Sequence, residues 1–300
     1  MEATWKDRLR GLVSRNRPSY KPQLWEDLPL AVRRRLKLEL LQRGRADWLD
    51  TPRVVDGAAD DILRTLESHG LDWDGELVWQ SRRTPAYEDA LATLQRQGRI
   101  YACDCPRREL AGAYPGTCRN RLDVAGPHAL RFRLGDAPLR FHDRWQGERT
   151  FEPAVIGDPV VRRRDGLFAY QLAVVVDDDH QRVTHIVRGA DLLDSTPWQV
   201  ALLEALGRSL PHYAHSPVVT EPDGRKLAKS RRSIAVDDRA PGANLHLALH
   251  LLGQSPPAEL RHASARESIA WARMNWNPQP LENRAEIAVP ELGLGSMPRL

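Results

Sequence analysis

Residues 162–199 read RRRDGLFAYQLAVVVDDDHQRVTHIVRGADLLDSTPWQ, and this stretch decides the fold class. Ala169 to Val176 is a near-continuous apolar run ended by Asp177, Asp178 and Asp179, which is how a strand covered on both faces reads. Val183 to Val187 reads as a second such strand. Thr196-Pro197-Trp198-Gln199 has the residues of a capping box, with Pro197 at the first helical position, and predicts a helix to Gly207. Strands that alternate with helices predict an α/β architecture.

The flanking sequence extends this pattern. Gly57 to His69 places Ile62, Leu63 and Leu66 on one helical face, with Gly70 just past its end. Thr84-Pro85 opens another helix that Gly98 closes. Leu130 to Asp165 reads as short strands with turn residues between them. Asn244 to Leu252 and Ala258 to Trp276 read as helices, and the Pro- and Gly-rich chain from Asn277 as a loose tail.

Composition narrows the class. The 300 residues have 41% hydrophobic content and a mean hydropathy of −0.52. They contain no run of about 18 apolar residues that would span a membrane, and no apolar segment of a secretory signal near the start. Three cysteines cannot form a disulfide framework and suit a reducing cytoplasm. The formal charge of +4 is compatible with a polyanionic partner without requiring one. Of 44 basic residues only Lys6, Lys21, Lys37, Lys226 and Lys229 are lysine, which sets the last two apart.

Three groups of residues can carry chemistry. Cys103, Cys105 and Cys118 lie within one short stretch, and thiolates are soft ligands suited to Zn²⁺. A fourth donor is needed, for which Tyr114, Asp104 and His128 are candidates. Lys226, Leu227, Ala228, Lys229 and Ser230 form a basic loop after Gly224; two ammonium groups there can neutralise charge on a departing pyrophosphate. Tyr170 heads the first apolar run and Arg188 ends the second. In open α/β sheets ligands bind beyond the carboxyl ends of strands, where an arginine can hold a carboxylate through two hydrogen bonds.

The succession of Asp50-Thr51-Pro52-Arg53, Asp72-Trp73-Asp74-Gly75, Trp79-Gln80-Ser81, Cys103-x-Cys105, Tyr114-x-Gly116-x-Cys118, the runs at 162–178 and 183–199, and Arg225 to Ser230 resembles the catalytic part of bacterial glutamyl-tRNA synthetases. These are class I aminoacyl-tRNA synthetases. More narrowly, the chain resembles their truncated paralogues, the glutamyl-Q tRNA(Asp) synthetases, over about Asp50 to Trp276. Three hundred residues leave no room for the helical anticodon-binding domain of the longer enzymes.

The resemblance implies an α/β fold: a Rossmann-like parallel sheet with a zinc-bearing insertion and a C-terminal helical region. It divides the chain into an atypical segment 1–49, a Rossmann-like part 50–98, the insertion 99–165, a second Rossmann half with helices and the lysine loop 166–276, and a flexible tail 277–300. It assigns Cys103, Cys105, Tyr114 and Cys118 to one structural Zn²⁺. Tyr170, Arg188 and Asp47 fall to glutamate, and Lys226 to Ser230 to ATP, with Lys229 the catalytic lysine. The implied reaction is activation of L-glutamate by ATP with Mg²⁺, then transfer of the glutamyl group to queuosine in the anticodon of tRNA(Asp). A cytoplasmic monomer is expected. One departure stands out: residues 1–49 contain no histidine and therefore no HIGH-like motif. A zinc-containing RNA-binding relative without turnover is the alternative this leaves; among enzymes it is glutamyl-tRNA synthetase.

Overall fold

The computed structural model describes residues 57–106, 113–220 and 236–288. Segment 1–49 with Asp47, and the loop from Lys226 to Ser230, lie outside these residues. The described chain forms two compact units, one within Gly75–His215 and one combining Asp61–Asp74 with the residues from Ser216 on.

In the first unit, α2 (Thr84–Arg96; α1 is Ala58–Ser68) begins with Pro85 in its first turn and is followed by Gly98 at φ 68°, as its sequence predicts. Strands β1 (Ile100–Cys103), β2 (Ala129–Phe132) and β5 (Val160–Arg162) form an antiparallel sheet in the order β1-β2-β5. A second sheet has the order β4-β3-β7-β6, from β3 (Leu139–Asp143), β4 (Gly147–Phe151), β6 (His185–Gly189) and β7 (His212–Ser216). Here β3 runs antiparallel to β4 and parallel to β7. The architecture is α/β as expected, but among the described residues of this unit the first sheet is antiparallel and the second mixed, not purely parallel. The cause is local: the Asp143 carboxylate accepts the backbone N–H groups of Trp145 and Gln146, turning the chain back on itself into the β3–β4 hairpin.

The apolar run at 169–176 falls almost wholly in a helix, α4 (Tyr170–His180; α3 is the short helix Pro153–Ile156), and not in a strand. Leu172, Ala173, Val174 and Val175 are all buried, so no polar face interrupts the run, and periodicity does not distinguish such a helix from a buried strand. Asp177 anchors its last turn. Its carboxylate accepts hydrogen bonds from Arg83 Nε (2.6 Å), Gln80 Nε2 (2.8 Å) and Tyr87 Oη (2.9 Å) of the α2 region. Helix α4 packs with α2 and with α5 (Thr196–Ala205) around Tyr87, Leu94, Phe132, Val161, Leu172 and Leu202.

Helix α5 has Pro197 in its first turn, but the expected capping box is absent. Its N-cap is Ser195, without a side-chain cap. Thr196 and Gln199 are both buried, and their side chains turn into a polar network around Arg188 instead.

In the second unit, β8 (Val218–Thr220) pairs in parallel with β9 (Glu286–Ala288). Residues 277–288 therefore do not form a loose tail, and Leu281 and Ile287 are buried. Helix α6 (Pro241–Leu251) is followed by a 3₁₀ turn (Ala258–His262) and α7 (Ala265–Asn275), where the sequence suggests one continuous helix from Ala258. The break is Ser264, whose hydroxyl caps Glu267 N while Glu267 caps Ser264 N in return. Gly242 permits the close approach here, since a Cβ would sit 2.0 Å from Ala263 O.

Candidate functional site

The three cysteines come together. The Sγ atoms of Cys103, Cys105 and Cys118 lie within 4.8 Å of one another, and Cys105 and Cys118 are 3.5 Å apart. A tetrahedral zinc site with Zn–S bonds of about 2.3 Å has edges of roughly 3.8 Å, so the triad is of the right size. Cys103 ends β1; Cys118 lies beyond Tyr114, whose hydroxyl accepts from Cys118 N at 2.7 Å and hydrogen-bonds the Cys103 side chain. Of the three fourth-donor candidates, Tyr114 is thus inside the cluster. Asp104 accepts from Arg121 and, at 3.6 Å, from Cys118 Sγ. His128 is half-buried and engaged with Gly126 O.

The electrostatics suit a cation. Burial and the adjoining Cys118 push the Cys105 thiol up to about 11, and burial with the neighbouring cysteines raises the Tyr114 phenol. Burial also opposes ionising Cys103, but hydrogen bonds from Tyr114 and Arg131 outweigh it and hold that thiol below its ordinary range. A bound divalent ion would offset the burial and the neighbouring cysteines that raise Cys105 and Tyr114.

Sequence reading missed Arg131, whose guanidinium lies 3.7 Å from the Tyr114 ring centre and reaches Cys103. Its signal was an inward-facing arginine in a strand otherwise carrying apolar residues. Close packing holds the Tyr114 loop in place: a Cβ on Gly157 would lie 2.6 Å from Tyr114 N.

Beside the cluster, the buried Asp158 carboxylate takes two hydrogen bonds from Arg119 (2.5 and 2.6 Å), one from Tyr101 Oη (2.6 Å) and one from Leu134 N (2.9 Å). Burial opposes its ionisation, but these donors prevail and hold it below the usual carboxylate range. Replacing Asp158 by alanine is expected to cost about 3–5 kcal/mol, because Arg119 and Tyr101 lose their partner. With its folded pKa depressed, the stability from Asp158 is complete above roughly pH 4 and is lost as pH falls through the folded value. Urea unfolding at neutral and acidic pH measures both effects, and the variant should lose less on acidification than the parent.

The second cluster centres on Arg188, which lies on β6 as the sequence suggests. Its side chain is buried. Arg188 Nε donates to His215 Nε2 (3.0 Å), and its Nη2 donates to Thr196 Oγ1 (2.8 Å) and Gln199 Oε1 (2.8 Å). Gln199 Nε2 in turn donates to Gln171 Oε1 (2.8 Å), the residue next to Tyr170. Tyr170 itself is the first residue of α4, not the head of a strand, and it packs partly buried against the main core. One polar chain therefore joins the neighbourhoods of the two residues expected to meet glutamate.

Comparison with known proteins defines the class. The family described as tRNA synthetases class I (E and Q), catalytic domain, matches residues 113–279. A glutamate tRNA ligase from Elizabethkingia meningosepticum, solved in complex with its amino acid, superposes with a TM-score of 0.63 at 21% identity, over 80% of this chain and 58% of that chain. The glutamate-tRNA synthetase from Elizabethkingia anophelis gives the same score over 81% and 60%. This chain therefore spans less than two thirds of either solved protein, and at that identity the likeness establishes the fold. The molecule has the class I tRNA synthetase catalytic fold.

Curated relatives are nearer. A glutamyl-Q tRNA(Asp) synthetase of Ectopseudomonas mendocina is 49% identical over 252 residues, 83% of this chain and 86% of the relative. Those of Pseudomonas aeruginosa and Geobacter sulfurreducens are 50% and 47% identical, over 78% and 80% of this chain and 81% and 83% of the relatives. The chain belongs to the glutamyl-Q tRNA(Asp) synthetase family.

Proposed function

We propose that this protein is a ligase that activates L-glutamate with ATP and transfers the glutamyl group to queuosine in the anticodon of tRNA(Asp). Identity near one half over about four fifths of both chains carries this reading, and favours it over glutamyl-tRNA synthetase and over an RNA-binding relative without turnover. Arg188 and Tyr170 bind glutamate, joined by Asp47. Arg188 is permanently cationic and fixed by three side-chain acceptors, so it meets a carboxylate without reorganising. A glutamate carboxylate oxygen attacks the α-phosphorus of ATP, and the bond to pyrophosphate breaks. Lys229, within the loop Lys226, Leu227, Ala228, Lys229 and Ser230, stabilises the charge on the departing pyrophosphate. Mg²⁺ accompanies ATP and offsets its phosphate charge. Queuosine then takes the glutamyl group and AMP leaves.

Cys103, Cys105, Tyr114 and Cys118 hold one structural Zn²⁺ in the insertion 99–165, where the ion serves folding and not the reaction. The work is cytoplasmic; among the described residues no helix is long and apolar enough to cross a membrane.

Glutamate-dependent exchange of pyrophosphate into ATP by the full chain tests the first step, and labelled glutamate on queuosine-containing tRNA(Asp) the second. Lys229→Ala is expected to slow exchange by about 10²–10³-fold with glutamate affinity largely kept. Equal losses in rate and affinity would make the loop structural. Absence of exchange by a folded, tRNA-binding chain would refute the enzymatic reading.

A further inference from the structure

Behind Arg188 lies a buried pair with no place in the reaction so far. Asp143 closes β3, His215 lies on β7, and both side chains are fully buried. Asp143 Oδ2 sits 2.5 Å from His215 Nδ1, while Asp143 Oδ1 accepts three backbone N–H groups, from Trp145 (3.0 Å), Gln146 (2.9 Å) and His215 (3.1 Å). On the other side of the ring, His215 Nε2 faces Arg188 Nε at 3.0 Å.

The donors and acceptors around the ring point to one arrangement. A guanidinium only donates, so His215 Nε2 must be the acceptor and carries no proton. The single proton of a neutral imidazole then sits on Nδ1 and is donated to Asp143, whose carboxylate can only accept. The Thr196 hydroxyl also lies 3.1 Å from His215 Nε2; its proton goes to Leu192 O (3.0 Å) and its oxygen accepts from Arg188, so it gives that nitrogen no proton. Carboxylate, neutral imidazole and guanidinium thus form a polarised line across the sheet from β3 through β7 to β6. Arg188 Nε thus has in His215 Nε2 an acceptor of fixed direction.

We propose that His215, locked in its Nδ1–H tautomer by Asp143, is a positioning residue that sets the orientation of the Arg188 guanidinium for the amino-acid substrate. This rests on Arg188 being a glutamate ligand, as proposed above. Neither His215 nor Asp143 need touch glutamate; both act through Arg188.

Asp143→Asn is the informative variant. Three backbone N–H groups converge on Oδ1, so the asparagine oxygen takes that place and its NH₂ turns to His215 Nδ1. Nδ1 must then accept, the ring proton moves to Nε2, and two donors face each other at Arg188 Nε. ¹⁵N NMR of the imidazole near neutral pH reads the tautomer, and pyrophosphate exchange reads the substrate sites.

The expected result is bare Nε2 in the parent chain and protonated Nε2 in Asp143→Asn, with the KM for glutamate raised at least about tenfold and that for ATP within about twofold. A parent ring protonated on Nε2 overturns the proposal, and since that measurement needs no variant it decides even where Asp143→Asn fails to fold. A reversed tautomer with unchanged glutamate KM also overturns it, as does an equal rise in both KM values, the mark of a structural role alone. A parent chain that exchanges no pyrophosphate with glutamate refutes instead the enzymatic reading on which the glutamate role of Arg188 rests, and the role of His215 falls with it.

Discussion

Replacing Arg188 by glutamine is expected to lower kcat/KM for glutamate in pyrophosphate exchange by roughly 10²–10³-fold, equivalent to about 3–4 kcal/mol. The loss has two sources. Glutamate gives up a charge-assisted contact in a buried site, and the acceptors His215 Nε2, Thr196 Oγ1 and Gln199 Oε1 lose the donor that satisfied them. Lysine should not rescue the activity. One ammonium on a flexible stem cannot serve three acceptors spread around a planar guanidinium and still present a charge to substrate. A variant with near-parental exchange would remove Arg188 from the amino-acid site, whereas an unchanged KM for ATP would separate loss of glutamate binding from general damage.

The second large effect concerns metal. The parent chain is expected to carry one zinc, and Cys118→Ser none, by elemental analysis after purification without added metal. Cys118 is fully buried and joins the cluster at both levels: its sulfur lies 3.5 Å from Cys105, and its backbone N–H holds the Tyr114 hydroxyl. Loss of the ion should loosen the segment around β1 and Tyr114 before the core around Leu172 and Leu202, so hydrogen exchange should rise there first. Tyr114→Phe keeps the ring beneath Arg131 but removes the fourth donor. Its zinc should be retained at stoichiometric loading and stripped by chelator at least about ten times more readily. Zinc content unaffected by Cys118→Ser would eliminate the site.

Much of this is legible in the sequence because it depends on near neighbours. The spacing of Cys103, Cys105, Tyr114 and Cys118 confines four donors to one short stretch, and the structure gathers them. Proline in the first turn and glycine past the last place α2 and α5 correctly, since both act on local backbone geometry. The run from Ala169 to Val176 reads as a strand because the turn Leu172–Val175 is buried all round and has lost the polar stripe by which helices are recognised.

Thr196 and Gln199 have the residue types of a capping box, yet the buried cation of Arg188 outcompetes the backbone for their side chains. Nothing local announces Asp143 and His215. They are 72 positions apart, and only the parallel pairing of β3 with β7 sets one carboxylate against one imidazole.

Residue order by itself thus determined the family, the cysteines that cluster and the α/β class, all properties of short motifs and their succession. Tertiary structure decided that α4 is a helix, that the second sheet is mixed, and that Arg188 rests on a buried histidine. Each of these depends on which distant groups exclude water together, because a buried donor or acceptor takes whatever partner the packing supplies.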